Sequence, residues 1–171
     1  MATTTTRRTR AKINPTIELD SILTVAESRA VYKALRILDA KLQREDSTLL
    51  TRYDATCMYF ACKLGGLAAE AFAVAYLDAQ NRVIETRIMF TGTVTQATVH
   101  PREIVKTALE LGASSVIVSH NHPSGTLQFS EADRVLTHAV KRALEVVDVR
   151  LHDHILVAGG KAISGSLAGL L

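Results

Sequence analysis

Residues 115–144 read SVIVSHNHPSGTLQFSEADRVLTHAVKRAL, and the fold class turns on how this stretch divides. Ser115 to Ser119 is a compact apolar run of strand length. A polar loop follows, in which Pro123-Ser124-Gly125 turns the chain, and a helix is expected from Ser130 to about Leu144. Downstream, Val149 to Val157 reads as a further strand, with a Gly159-Gly160 turn and a short tail of small residues after it. Upstream, Pro101 suits the first position of a helix running to Leu111, and Gly112 is its stop. Before that helix, Val94 to Val99 reads as a short strand behind a Thr91-Gly92 turn. Ala71 to Leu77 and Val83 to Phe90 form a hairpin around Asp78-Ala79-Gln80-Asn81. Strands alternating with helices in this order predict a layered α/β sandwich.

The N-terminal part differs in character. Apolar residues recur at helical spacing from Ile22 to about Gln43, which predicts an amphipathic helix or helix pair broken at Arg44-Glu45-Asp46-Ser47. A second helix is expected from about Tyr53 to Lys63, with Gly65-Gly66 ending it. The organisation expected is therefore a disordered basic tail (1–19), a helical segment (20–52) and one α/β domain (53–171). The net charge of +3 over 171 residues is local to that tail, because removing Arg7, Arg8, Arg10 and Lys12 leaves −1 for the rest. A near-neutral body gives phosphate no evident surface, so nucleic-acid binding is supported by the tail alone. No apolar run approaches the roughly 20 residues that span a bilayer, and the first residues lack the apolar core of a secretory signal. Cys57 and Cys62, the only cysteines, are five apart in an expected helix, a poor disulfide spacing and no metal knuckle. Reduced thiols in a cytoplasmic protein are the expectation.

The residues that carry chemistry sit where the 115–119 strand ends. His120 and His122 are two apart on extended chain and therefore point to one face, so two imidazoles converge on one ion without backbone strain. Asp133 falls in the first turn of the next helix, where a short side chain points back toward the strand end. Two histidines and a carboxylate are the ligand set of a catalytic zinc whose fourth position is left for water. Taken alone, Ser130 and Asp133 are a variant capping box, S-x-x-D, that needs no catalysis. The two readings are compatible, since a cap can fix the helix start while Asp133 binds metal.

The pattern H-x-H-x(7)-S-x(2)-D resembles the JAMM metalloprotease motif, and its form His120-Asn121-His122-Pro123-Ser124-Gly125 is similar to the RadC branch. Val99-His100-Pro101-Arg102-Glu103-Ile104, Thr91-Gly92-Thr93, Asp153-His154-Ile155 and the small-residue ending Ser164 to Leu171 match further blocks of that branch. The resemblance runs from about Tyr53 to Leu171. It implies an α/β/α sandwich like the cytidine-deaminase-like JAB/MPN fold, with Zn2+ held by His120, His122 and Asp133. It also implies a glutamate, placed before a core strand, that moves a proton between zinc-bound water and the leaving amine. By position that residue is Glu70, directly before Ala71–Leu77; Glu103, in the HPREI block near the active face in sequence order, is the competitor and ranks second because it opens a helix rather than preceding a strand. Ser130 would donate to the developing oxyanion. His100, His152, Asp153 and His154 are candidates to orient the ligands, whereas His138 has no expected role.

Three departures and alternatives stand beside this reading. Full-length members resemble fusions with a helix-hairpin-helix DNA-binding module, and the first fifty residues here show no such Gly-centred hairpin. The family's Glu-Pro-Ser before the motif serine is Gln128-Phe129-Ser130. The tripeptide is unlike an HNH nuclease, whose histidines lie far apart, and the ligands of the zinc deaminases are missing. The leading expectation is a zinc-dependent peptidase or isopeptidase acting on a protein or peptide. The alternatives are a DNA-associated repair accessory or metal-dependent nuclease, and a non-catalytic JAB scaffold. Neither substrate identity nor oligomeric state is legible.

Overall fold

A computed structural model describes residues 24–42, 50, 52–92 and 99–171. Helix α1 spans Val25–Leu42. Its start follows from Thr24, whose backbone N–H donates to the Glu27 carboxylate at 2.7 Å while the Glu27 N–H reaches back to the Thr24 hydroxyl at 3.4 Å. This reciprocal cap satisfies two of the orphan donors at a helix start. Helix α2 spans Tyr53–Leu64 and ends at Gly65, whose N–H bonds to the Ala61 carbonyl. Gly65 has φ −66°, so the helix stops there without the left-handed backbone that a terminal glycine suggests.

The body that follows comprises β1 (Glu70–Leu77), β2 (Val83–Gly92), α3 (Pro101–Leu111), β3 (Ser115–Asn121), α4 (Glu131–Glu145), β4 (Arg150–Ala158) and β5 (Lys161–Ser164). The strands form one sheet in the order β2-β1-β3-β4-β5. Only the β3–β4 pair is parallel; the others are antiparallel. Pro101 begins α3 and Gly112, at φ 63°, ends it, which is the left-handed position where glycine avoids a Cβ clash. The expected tail after Gly159-Gly160 contains β5. Both glycines have positive φ, the requirement of a tight two-residue hairpin, and Ala158 pairs directly with Lys161. Of the strand expected over Val94 to Val99, residues 94–98 lie outside the described residues, and Val99 is in no strand. The basic tail and the break at 44–47 lie outside them as well.

Side-chain alternation makes three layers. In β1, Ala71, Ala73, Ala75 and Leu77 pack with Phe60 and Leu64 of α2, and with Ile117, Ile155 and Val157 on the same side of the sheet. Phe72, Val74 and Tyr76 face the other way, against Ile104 and Ala108 of α3 and Val140 and Leu144 of α4. Three alanines on one face let α2 sit close to the sheet, so a core without tryptophan is filled by aliphatic side chains and a few rings. Among the described residues no helix is long and apolar enough to cross a membrane.

Candidate metal centre

Strand β3 continues through His120 and Asn121, two residues beyond the apolar run that announces it. On the α3/α4 face Val116 and Val118 are followed by His120, which stacks against Phe72 of β1 at 6.5 Å between ring centroids. His122 lies just past the strand, where its N–H bonds to the Val157 carbonyl at 2.8 Å. Its ring is fixed by Nδ1, 2.8 Å from the Thr126 carbonyl oxygen. A carbonyl only accepts, so the proton is on Nδ1 and Nε2 carries a bare lone pair. That Nε2 is 3.1 Å from the Nε2 of His120.

Asp133 completes the group from the first turn of α4. Ser130 is the N-cap: its backbone N–H donates to Asp133 Oδ2 at 2.7 Å, its hydroxyl donates to the same oxygen at 2.6 Å, and the Asp133 N–H returns to the Ser130 hydroxyl at 3.1 Å. The capping box and the proposed ligand are thus one structure. Asp133 Oδ1 lies 3.1 Å from His120 Nε2, and Oδ2 lies 3.5 Å from His122 Nε2. Burial works to raise the pKa of the Asp133 carboxyl, but the hydrogen bond and charge of His120 and the donors of Ser130 outweigh it and hold the pKa well below the usual range.

The donor set fits zinc. Ligands at about 2.0–2.1 Å in a tetrahedron lie about 3.3 Å from one another; His120 Nε2 is 3.1 Å from both His122 Nε2 and Asp133 Oδ1, and one donor atom from each of the three residues lies within 4.8 Å of the other two. Facing imidazole lone pairs and a carboxylate repel one another unless a cation or proton lies between them.

A cleft of 560 Å³ opens beside this group, lined by residues that include Glu70, His122, Phe129, Ser130 and Glu131. Glu70 is the first residue of β1 rather than the residue before it. By alternation with Phe72 it belongs to the His120 face. Glu103 is on α3, paired with Arg102 at 3.2 Å, and is not among the cleft residues. The Ser130 hydroxyl proton is directed at Asp133, so donation to an oxyanion requires rotation of that hydroxyl.

Of the four residues expected to orient the ligands, one touches them. His154 is fully buried, with Nε2 2.8 Å from His120 Nδ1. Burial, then the charge of His120, keeps its pKa well below the ordinary histidine value. His100 instead packs edge-on against Phe90, and His152 bonds to Asn81. Asp153 accepts from Ser164 and from the N–H of Ser166, tying down the C-terminal turn. His138 is exposed on α4.

Two buried residues escaped the sequence reading. Thr137 Oγ1 lies 2.6 Å from His154 Nδ1 and 2.5 Å from the Asp133 carbonyl oxygen. Its signal is legible in retrospect: the buried stripe of α4 is Asp133, Thr137, Val140, Leu144, with two polar residues where an amphipathic helix should be apolar. Asn121, between the histidines, points to the opposite face. Its Oδ1 accepts the Ala71 N–H at 2.8 Å, and its Nδ2 donates to the carbonyls of Leu67 at 3.3 Å and Ala69 at 3.1 Å. It holds the backbone on both sides of Glu70.

The sequence comparisons agree with this geometry. A family model described as "RadC-like JAB domain" matches residues 50–170. The chain is 40% identical to the UPF0758 protein YkfG of Escherichia coli, over 87% of this chain and 94% of that protein. It is 43% identical to a UPF0758 protein of Vibrio cholerae, over 85% and 90% respectively. A UPF0758 protein of Albidiferax ferrireducens is 46% identical over 75% of this chain, and there the match spans 55% of the relative's length.

Proposed function

The chain belongs to the RadC-like JAB domain family, and from that premise we propose that it is a cytoplasmic zinc-dependent hydrolase of the peptidase or isopeptidase type. The observation that carries the reading is the meeting of His120, His122 and Asp133, one donor atom from each within 4.8 Å of the others, on the rim of a cleft that also contains Glu70. When bound, zinc supplies Lewis acidity and lowers the pKa of a coordinated water.

The protein's own groups do the rest. His120 and His122 present bare nitrogens, and Asp133 offers Oδ1 while Oδ2 stays engaged by Ser130. Glu70, in the cleft, takes a proton from the attacking water and returns it to the leaving amine. Phe129 closes one side of the cleft with an apolar wall beside His120, its ring 6.0 Å from the imidazole. Among the described residues, the ionisable groups lining the cleft are Glu70, Glu131 and His122, with neither Lys nor Arg. Two carboxylates without a fixed cation beside them suit a neutral amide better than a phosphodiester. This supports the peptidase reading over the nuclease reading. The basic segment 7–12 remains the sole support for nucleic acid.

The test is a cleavage screen of a peptide library with zinc-loaded protein and a chelated control. Glu70→Gln should abolish turnover while zinc content is unchanged, because this carboxylate transfers protons and does not ligate. Glu103→Gln should retain most activity. Loss of turnover in Glu103→Gln with activity kept in Glu70→Gln would reverse the assignment.

A further inference from the structure

Whether His120 can bind metal through Nε2 depends on whether its outer nitrogen, Nδ1, keeps a proton, and the residues that decide this lie outside the ligand set. The Thr137 hydroxyl has one hydrogen and two neighbours, the Asp133 carbonyl oxygen at 2.5 Å and His154 Nδ1 at 2.6 Å. The carbonyl cannot donate, so the hydroxyl hydrogen goes to it and the hydroxyl oxygen must accept from His154. The proton of His154 is therefore on Nδ1 and its Nε2 is bare. That Nε2, 2.8 Å from His120 Nδ1, accepts in turn, which fixes the proton of His120 on Nδ1. His120 Nε2 is then the nitrogen left for the metal, and it faces Asp133 and His122.

We propose that Thr137 and His154 are positioning residues that set the His120 tautomer for metal, through a one-way hydrogen-bond chain that begins at the backbone carbonyl of Asp133. His122 needs no such chain because the Thr126 carbonyl fixes it directly. His120 has no carbonyl partner: its outer nitrogen meets another imidazole, and an imidazole is indifferent to direction until something orders it. Thr137, 1% exposed and one turn after Asp133, is that element. The chain closes on itself, because the residue whose carboxylate serves as ligand also supplies the carbonyl that orders the opposite ligand. Removing the hydroxyl leaves His154 free to carry its proton on Nε2 and donate to His120 Nδ1. That forces the His120 proton onto Nε2, where it blocks the metal.

The inference rests on the metal-site reading above, yet the two fail separately. Nitrogen-15 spectra of the imidazoles in zinc-free protein near neutral pH report each ring's protonated nitrogen without any metal or substrate. Wild type should show a protonated Nδ1 on both His120 and His154. Thr137→Val, which keeps the shape and lacks the hydroxyl, should show a mixed or reversed state at both rings, and Thr137→Ser should restore the wild-type pattern. Zinc affinity by chelator competition should fall about 10- to 100-fold in Thr137→Val, the range for loss of a ligand's hydrogen-bond partner, and recover in Thr137→Ser. A wild-type spectrum with His120 Nδ1 unprotonated overturns the inference on its own, even if Thr137→Val fails to fold. Equal zinc loss in the Val and Ser variants would assign Thr137 to packing and also overturn it. Absence of zinc binding in wild type, with the expected tautomers present, would sink the proposed function and leave the hydrogen-bond chain standing.

Discussion

Replacing Asn121 tests whether its amide, on the sheet face opposite His120, holds the backbone around Glu70, the proposed acid/base. The β1–β3 ladder ends at Phe72↔His120, and the next rung is made by the Asn121 side chain rather than by backbone. Asn121→Ala strands three groups. The Ala71 N–H, on a residue 1% exposed, has no route to water and should cost about 1–3 kcal/mol. The Leu67 carbonyl, on a buried residue, adds roughly 1 kcal/mol, and the carbonyl of exposed Ala69 finds water at little cost. The expected loss is about 3 kcal/mol in urea denaturation of the zinc-free protein. Turnover should fall with it, because the backbone flanking Glu70 loosens, while zinc content holds because the ligands face the other way. Asn121→Asp is nearly isosteric and sharpens the test. It keeps the acceptor for Ala71 but turns a donor into an anion facing two carbonyl oxygens, so its pKa in the folded state should rise above the unfolded value of about 3.9. With a raised folded pKa the proton bound by the native state stabilises it at low pH, and that stability is lost as pH rises from about 4 through the folded value. The Asp variant should thus be closer to wild type at pH 5 than at pH 8. An Ala variant less than about 1 kcal/mol destabilised, or an Asp variant matching wild type at both pH values, would refute the clamp.

Two further expectations probe the site and the core. Asp133→Asn should reduce zinc from about one per chain to near none, whereas Ser130→Ala should keep its zinc and lose roughly 1 kcal/mol as a weakened N-cap; elemental analysis and urea denaturation distinguish them. Tyr76 is fully buried, its hydroxyl 3.5 Å from Met89 Sδ, and burial pushes its pKa up from 10 to about 12. Above pH 10 the unfolded chain ionises this phenol while the folded one does not, so stability falls as pH rises, by up to about 2.7 kcal/mol near pH 12. Tyr76→Phe should flatten that alkaline limb in denaturation curves taken from pH 8 to 11, and an unchanged limb would place the titration elsewhere.

Local pattern accounts for what was legible. The helix over Pro101–Leu111 has Pro at one end and left-handed Gly at the other, so its bounds follow from backbone chemistry alone. The convergence of His120, His122 and Asp133 was legible because both of its rules are short-range: same-face alternation across two residues, and a cap at a helix start. Glu70 could be ranked above Glu103 only by analogy, since what separates them is the pairing of β1 with β3 fifty residues away. His154 was one of four candidates for the same reason. Its neighbour His152 has the same residue type and nearly the same sequence context, and only the register of β4 against β3 sends one to the ligands and the other to Asn81. β5 was missed because four residues, three of them small or charged, carry too little periodicity to announce a strand.

The alternation of His120, Asn121 and His122 constrains how this segment can change. β3 is pinned on both sides, antiparallel to β1 and parallel to β4, and residue 122 is held by the Val157 carbonyl. Substitutions at Val116, Ile117 or Val118 alter volume and are absorbed or punished by degree. A single residue gained or lost between Ser115 and His122 would turn both imidazoles toward α2 and the amide toward the cleft in one step. The strand is therefore free to drift in composition but not in length, and a family built on it should place its insertions in the loops beyond Pro123 and ahead of Ser114, never between the histidines and the strand that delivers them.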